Sequence, residues 1–235
     1  MRIDIWSDVV CPWCYIGKRR LEKALADFPH PVEVAWHSFQ LDPGAPMVPT
    51  DTVATHLGRK YGGGEAAGRQ MVERVEAAAA EEGMIWRHHE SLRVNTLDAH
   101  RLIHLAEAEG GLALQGALKE ALLDAYFAKA ANIADHDVLR RLATGAGLDP
   151  ARVDEVLASS EYGDAVWADQ EQAAAYGANG VPFFVIDGRF AVSGAQPAAL
   201  FAQALEQAWS AAHPVLQPVG GAADADACGP DGCAL

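Results

Sequence analysis

The stretch Ser7-Asp8-Val9-Val10-Cys11-Pro12-Trp13-Cys14-Tyr15-Ile16-Gly17 constrains the chain more than any other, because it sets two cysteines three residues apart where a strand meets a helix. Upstream, Ile3 and Ile5 alternate with polar neighbours, the period of a short strand; downstream, Leu21, Ala24, Leu25 and Phe28 recur at helical spacing. Cys11 therefore falls at the helix start. Pro12 takes the first helical position, where its missing N–H costs nothing. Cysteines three apart in a helical turn have Cα atoms ~5–6 Å apart, within disulfide range, so the pair can open and close with little backbone movement. The positive end of a helix favours a thiolate, and cysteines placed there can ionise at roughly pH 3.5–7.5 instead of about 8.5. This predicts Cys11 as the more exposed, attacking thiolate with a lowered pKa, and Cys14 as the resolving thiol. A plain staple is the second reading, although a bridge closing so short a loop restrains the unfolded chain little. Half of a metal site is the third.

At 235 residues, 50% hydrophobic and 21% charged, the chain can bury one large core or two interleaved ones. A formal net charge of −14 argues against nucleic acid or an anionic membrane as partner. The sequence has no run of 18 apolar residues, and its first residues lead straight into a strand rather than an apolar signal segment, so a cytoplasmic location is expected. Four cysteines in two close pairs, kept reduced there, fit catalysis or redox sensing better than structural bridges.

Residues 28–31 break the first helix, and residues 32–39 read as a second strand, completing a βαβ unit with a parallel pair. His37 on that strand is read as a rim or core residue without a role. From about residue 50 to 176 the pattern is helical: one helix marked by Val53, Leu57 and Tyr61, then 65–82, 96–109, 112–127, 135–145, 150–158 and 161–176, separated by glycine turns. Asn95 to Asp98 reads as a helix cap. Trp86, His88 and His89 match no ligand spacing and read as a loop with a buried tryptophan. Met71, Met84, Tyr126 and Phe127 read as core. Strands resume around 180–194, with Asp187-Gly188 as a type I′ hairpin signal and Pro182 confined to a strand start or a special turn. A helix over 197–209 follows. The reading is α/β: a sheet domain formed by 1–44 and 161–209, an inserted helical domain over 45–160, and a tail over 210–235.

Cys11-Pro12-Trp13-Cys14, the helical insertion, Gly180-Val181-Pro182-Phe183-Phe184 and Val192-Ser193-Gly194-Ala195-Gln196-Pro197 together resemble the DsbA-like thioredoxin-fold family over about residues 1–209, most of all its cytoplasmic FrnE branch. The resemblance implies a thioredoxin fold with a large all-helical insertion. It implies a thiol-disulfide oxidoreductase, protein disulfide isomerase-like, acting on protein thiols or disulfides, with no cofactor or metal and with glutathione as a candidate redox partner. Cys11 and Cys14 would be catalytic. Pro12, Trp13, Val181 and Pro182 would meet substrate, with Pro182 in cis facing Cys11 and the Val181 backbone pairing with an extended chain. DsbA itself has histidine where Trp13 stands, so its strongly oxidising potential does not carry over. The same superfamily holds glutathione-dependent small-molecule enzymes, the kappa-class transferases and 2-hydroxychromene-2-carboxylate isomerases, with serine at the position of Cys11; such an isomerase is the alternative function.

From residue 210 the composition turns small, Pro-rich and acidic, so a flexible extension is expected. It carries Cys228-Gly229-Pro230-Asp231-Gly232-Cys233, in which a turn sequence brings two thiols together. Cys228 and Cys233 read as a second redox pair exchanging with Cys11 and Cys14: the intervening chain spans ~24 Å root-mean-square, enough to reach the cleft of a domain this size. Two tail cysteines without a role, and a zinc site built from all four, are the alternatives.

Overall fold

The computed structural model describes residues 1–214. Strands β1 (Arg2–Ser7), β2 (Glu33–Ser38), β3 (Phe183–Ile186) and β4 (Phe190–Ser193) form one sheet in the order β2-β1-β3-β4. β1 runs parallel to β2, with Ile3 beside Val34, and antiparallel to β3, with Ile5 beside Phe184. Helix α1 (Pro12–Ala26) makes the crossover between the parallel pair. Period-two alternation splits the sheet's two faces. Ile3, Ile5 and Phe184 pack with Ile16 and Leu21 of α1 and with Phe201 and Leu205 of the last helix, whereas Trp6, Phe183 and Val185 pack with Ala173 on the other side. The β3–β4 hairpin turns at Asp187 (φ 48°) and Gly188 (φ 65°), with Arg189 N–H donating to the Ile186 carbonyl at 3.0 Å, as the Asp-Gly signal requires.

Between β2 and β3 lie helices α2 (Val53–Tyr61), α3 (Gly64–Glu81), α4 (Leu97–Phe127), α5 (His136–Ala146), α6 (Pro150–Leu157) and α7 (Gly163–Ala175). The expected pair of helices over 96–109 and 112–127 is present as the two segments of α4, which meet at a kink. Gly111 alone makes the bend, at φ 65° and ψ −166°, a conformation glycine adopts without a Cβ penalty, so no residues are given over to a loop. α2 and α3 lie backbone to backbone: a Cβ at Gly58 would stand 1.9 Å from the Gly64 carbonyl oxygen, and one at Gly68 1.9 Å from that of Ala54. Arg101, buried on α4, ties the end of α6 and the turn before α7 to that helix through the carbonyls of Ser159 (2.6 Å) and Glu161 (2.7 Å) and the Asp98 carboxylate (2.7 Å).

Helix α8 (Ala198–Ala212) corrects the expected tail boundary at residue 210. Ala211 and Ala212 are strong helix formers, and the Trp209 ring is stacked by His30 at 3.6 Å and by His213 at 3.7 Å, which holds the last turn. Cys228 and Cys233 lie outside the described residues. Among the described residues no helix is long and apolar enough to cross a membrane.

Candidate active site

Cys11 is the N-cap of α1, with extended backbone (φ −87°, ψ 114°), and Pro12 follows at the first helical position. The turn that delivers it is closed by Cys11 N–H donating to the Asp8 carbonyl at 3.3 Å and Cys14 N–H donating to that of Cys11 at 3.1 Å. Both sulfurs are thiols. Both are buried, Cys11 at 3% exposure and Cys14 at 1%, so the expected contrast in exposure is small. Their surroundings separate them: Cys11 lines a cleft of about 390 Å³, and Cys14 faces the interior.

The Val181–Pro182 peptide bond is cis, and the Cys11 thiol donates to the Val181 carbonyl at 3.6 Å. Gly17 permits this approach. A Cβ there would lie 3.1 Å from Pro182 Cγ and 3.3 Å from Phe184 Cζ, so a side chain at residue 17 would press the Pro182 loop back by a few tenths of an ångström. Arg20 fixes the neighbouring loop, donating to the Ala195 carbonyl at 2.7 Å. The cleft continues from Cys11, Trp13 and Val181 into the insertion, where Val53 and Leu57 of α2 and Met71 and Val75 of α3 form an apolar wall. Met71, expected in the core, is therefore a cleft residue, and Tyr126 reaches the cleft from α4. Trp13 is 43% exposed at the mouth. His88 lines the cleft too, and burial pushes its pKa down to about 4. Trp86 is buried as expected, stacked on Phe127 at 4.4 Å.

The charges beneath the sulfurs come from three elements. Asp8 is fully buried; one carboxylate oxygen accepts from Leu41 N–H at 2.8 Å and the other meets His100 Nε2 at 3.2 Å. Burial alone would raise the Asp8 pKa, but the bond to His100, the Leu41 N–H and the Lys119 ammonium hold it below the usual carboxylate range. Burial pushes His100 down despite Asp8, leaving a neutral ring. Lys119 of α4 lies under the β1–α1 turn and donates to the Ser7 carbonyl at 3.1 Å.

The two buried thiols are neighbours and ionise as a pair. Burial opposes a Cys14 thiolate but is outweighed by the neighbouring Cys11, the Lys119 charge and the nearby Ser7, which draw Cys14 down. Cys11 is pushed up, first by its neighbour Cys14, then by burial and by the charge on Asp8. The helix start therefore does not act on Cys11 alone, as the expected lowering assumed. The Cys14 N–H at the helix start does favour a Cys11 thiolate, but the cation sits beneath the other sulfur and an acid faces this one.

Sequence reading gave no role to Asp8, His100, Lys119 or Gly17. Lys119 did carry a signal: Gln115, Lys119, Leu122 and Tyr126 recur at helical spacing as one buried stripe, and a lone cation in such a stripe is unusual. His37 lies away from this site, between Asp4 and Asp169 at 2.9 Å each, and these acids outweigh burial to raise its pKa. The described residues contain no cluster of three or more His, Cys, Asp or Glu arranged to hold a metal ion.

A parallel βαβ unit continued into an antiparallel hairpin, with a Cys-x-x-Cys at the first helix start and a cis-proline opposite, defines a thioredoxin-fold protein. The family model described as a DSBA-like thioredoxin domain matches residues 2–206, and the chain belongs to that family. Among solved structures, a probable DsbA oxidoreductase, SCO1869 from Streptomyces coelicolor, is 46% identical, with a TM-score of 0.84 and coverage of 100% of this chain and 99% of that one. A 2-hydroxychromene-2-carboxylate isomerase (13% identity, TM-score 0.66, 90% and 98% covered) shares the fold. So does the cytosolic disulfide reductase DsbM from Pseudomonas aeruginosa with GSH (18%, TM-score 0.62, 88% and 98%).

Proposed function

We propose that the chain is a protein thiol-disulfide oxidoreductase of the FrnE branch, working through Cys11 and Cys14 in the cytoplasm. The observation that carries this reading is the placement of Cys11: at the start of α1, facing the cleft, with the Val181 carbonyl 3.6 Å away and Cys14 one turn behind. In the oxidising direction a substrate thiolate attacks Cys11 Sγ; the Cys11–Cys14 bond breaks and its electron pair passes to Cys14. A second substrate thiol, as thiolate, then attacks the substrate sulfur of the mixed disulfide, and Cys11 leaves with the electrons. The substrate gains a disulfide and the enzyme becomes a dithiol; reduction is the reverse.

Trp13 and Pro12 flank the entry, the Val181 backbone pairs with an extended substrate beside Cys11, and the apolar wall of α2 and α3 receives its side chains. Glutathione serves as the small redox partner. Cys228 and Cys233 act as a second thiol pair that exchanges with Cys11 in the same chain, and removing residues 222–235 should slow turnover. The test of the central reading is insulin reduction and refolding of a scrambled-disulfide protein by wild type and Cys11→Ser. Loss of both activities is expected; undiminished activity sinks the reading. Glutathione-dependent turnover of an aromatic substrate that survives Cys11→Ser would favour the isomerase, and stoichiometric bound zinc a metal module.

A further inference from the structure

His37 of β2 stands apart from the cysteines and is clasped by acids from two elements. Its Nδ1 lies 2.9 Å from an Asp169 oxygen of α7, and its Nε2 lies 2.9 Å from an Asp4 oxygen of β1. An ionised carboxylate only accepts hydrogen bonds, so a ring that meets one at each nitrogen carries both protons. Both acids have further donors. Asp4 accepts from Arg2 Nε at 2.9 Å; Asp169 accepts from Ser38 N–H at 2.6 Å, and His104 Nε2 of α4 lies 3.0 Å from the same oxygen. Burial would raise the Asp169 pKa, but the bonds to His104, His37 and Ser38 hold it well below the usual carboxylate range. Asp4 and Arg2 from β1, Asp169 from α7 and His104 from α4 are the charged and titratable groups gathered around the ring. Burial alone would lower the His37 pKa; Asp169 and Asp4 outweigh it.

Trp6 joins this clasp to the cysteine site. The His37 ring stacks on the indole, with centroids 4.5 Å apart and planes 19° from parallel, and the indole N–H donates to the Asp169 carbonyl at 2.8 Å. Trp6 stands opposite Phe183 in the β1–β3 ladder, and their rings are 6.2 Å apart. Phe183 follows the cis-proline, and Val181 packs on the cluster formed by Trp6, Ala173, Phe183 and Val185. The Val181 carbonyl is the group 3.6 Å from Cys11 Sγ. Contact is therefore continuous from His37 to the backbone beside the reacting sulfur. Loss of the His37 proton would leave one ring nitrogen as a lone pair facing a carboxylate 2.9 Å away, and that contact must open. Other donors anchor both acids, so the ring is what moves, and it takes its stacking on Trp6 with it.

We propose that His37, as an imidazolium between Asp4 and Asp169, is a positioning residue for substrate: stacked on Trp6, it keeps Val181 seated beside Cys11, and the cleft holds substrate less tightly once the proton is gone. This rests on the oxidoreductase reading above and on the Val181 backbone meeting substrate. No proton or electron passes between His37 and the sulfurs.

The test is glutathione-driven insulin reduction by the full chain from pH 6 to 9, comparing wild type with His37→Gln, which is neutral throughout. The ratio of KM in the variant to KM in wild type cancels the ionisation of the substrate and of the cysteine pair. At pH 6 the ratio should be about five. It should fall toward one as the pH rises and wild-type His37 loses its proton. A ratio of one at every pH overturns the inference, and so does a raised ratio that stays constant, because lost packing does not titrate. Should the variant not fold, NMR of wild type in the disulfide form, where Cys11 and Cys14 do not titrate, decides. Both His37 ring nitrogens must be protonated at pH 6, and the Val181 amide must shift with the midpoint of the ring. A ring already neutral at pH 6, or a Val181 amide that does not follow it, overturns the inference. Absence of insulin reduction by wild type would instead bring down the oxidoreductase reading, and the NMR titration would still judge the clasp.

Discussion

Replacing Gly68 with alanine should separate substrate binding from redox chemistry. The new Cβ would stand 1.9 Å from the Ala54 carbonyl oxygen and 2.8 Å from Gly58 N, both backbone atoms that cannot rotate away. Real Cβ contacts essentially never fall below 3.0 Å, so α3 must draw back from α2 by about 1 Å. Overpacking of this kind costs ~1–3 kcal/mol. For a chain of this length each kcal/mol moves Tm by about 2–4 °C, so Tm should fall by roughly 2–12 °C. The cleft wall formed by Val53 and Leu57 on one helix and Met71 and Val75 on the other moves with it. We expect KM for a protein substrate to rise about tenfold, the equivalent of ~1.4 kcal/mol of binding. The glutathione equilibrium of Cys11 and Cys14 should stay within twofold, because the contacts that hold the pair come from β1, α1, α4 and the Pro182 loop. Thermal melts, steady-state kinetics and a glutathione titration on one preparation read all three. An unchanged Tm, or a redox shift as large as the KM shift, would refute the packing argument.

Two further outcomes follow from buried polar groups. Arg101→Met removes the donor to the Ser159 and Glu161 carbonyls and leaves the Asp98 carboxylate, 11% exposed, without its guanidinium; urea unfolding should show a loss of about 3–5 kcal/mol. His88 is held neutral by burial, with its pKa lowered to about 4. The unfolded chain therefore binds the extra proton between about pH 6.5 and 4, and stability present above pH 6.5 is lost as pH falls through that window, by on the order of 3 kcal/mol. Urea midpoints of wild type and His88→Gln from pH 7 to 4 check this: the variant's profile should be flatter, and parallel profiles would contradict it.

The sheet and its crossover were legible because strand and helix periods, Pro12 at a helix start and Asp187-Gly188 are local signals, and each acts within a few residues. The break between the two segments of α4 was legible from Gly110-Gly111, but its tightness was not: a single glycine makes it, with no loop residues between the segments. The reacting cysteines were readable from their spacing, but their relative acidity was not. Buried charges bear on it, and Lys119 comes from 105 residues beyond Cys14 in sequence, a distance at which a charge leaves no mark in a local motif. Gly17 falls between these cases. It stands in the motif stretch, but only the fold shows that Pro182 and Phe184 approach it closely.

The central claim is that Cys11 is the sulfur that bonds to substrate, and the most direct measurement is to trap that bond. A Cys14→Ser, Cys228→Ser, Cys233→Ser variant keeps Cys11 as its one thiol and cannot resolve a mixed disulfide on it, so incubation with a cysteine-containing protein substrate should accumulate a covalent complex. Mass spectrometry of the digested complex should find the substrate cysteine joined to Cys11, with the complex released by added reductant and absent when Cys11→Ser is added to the same variant. A complex joined elsewhere, or full turnover with no Cys11 linkage at any time, would contradict the account.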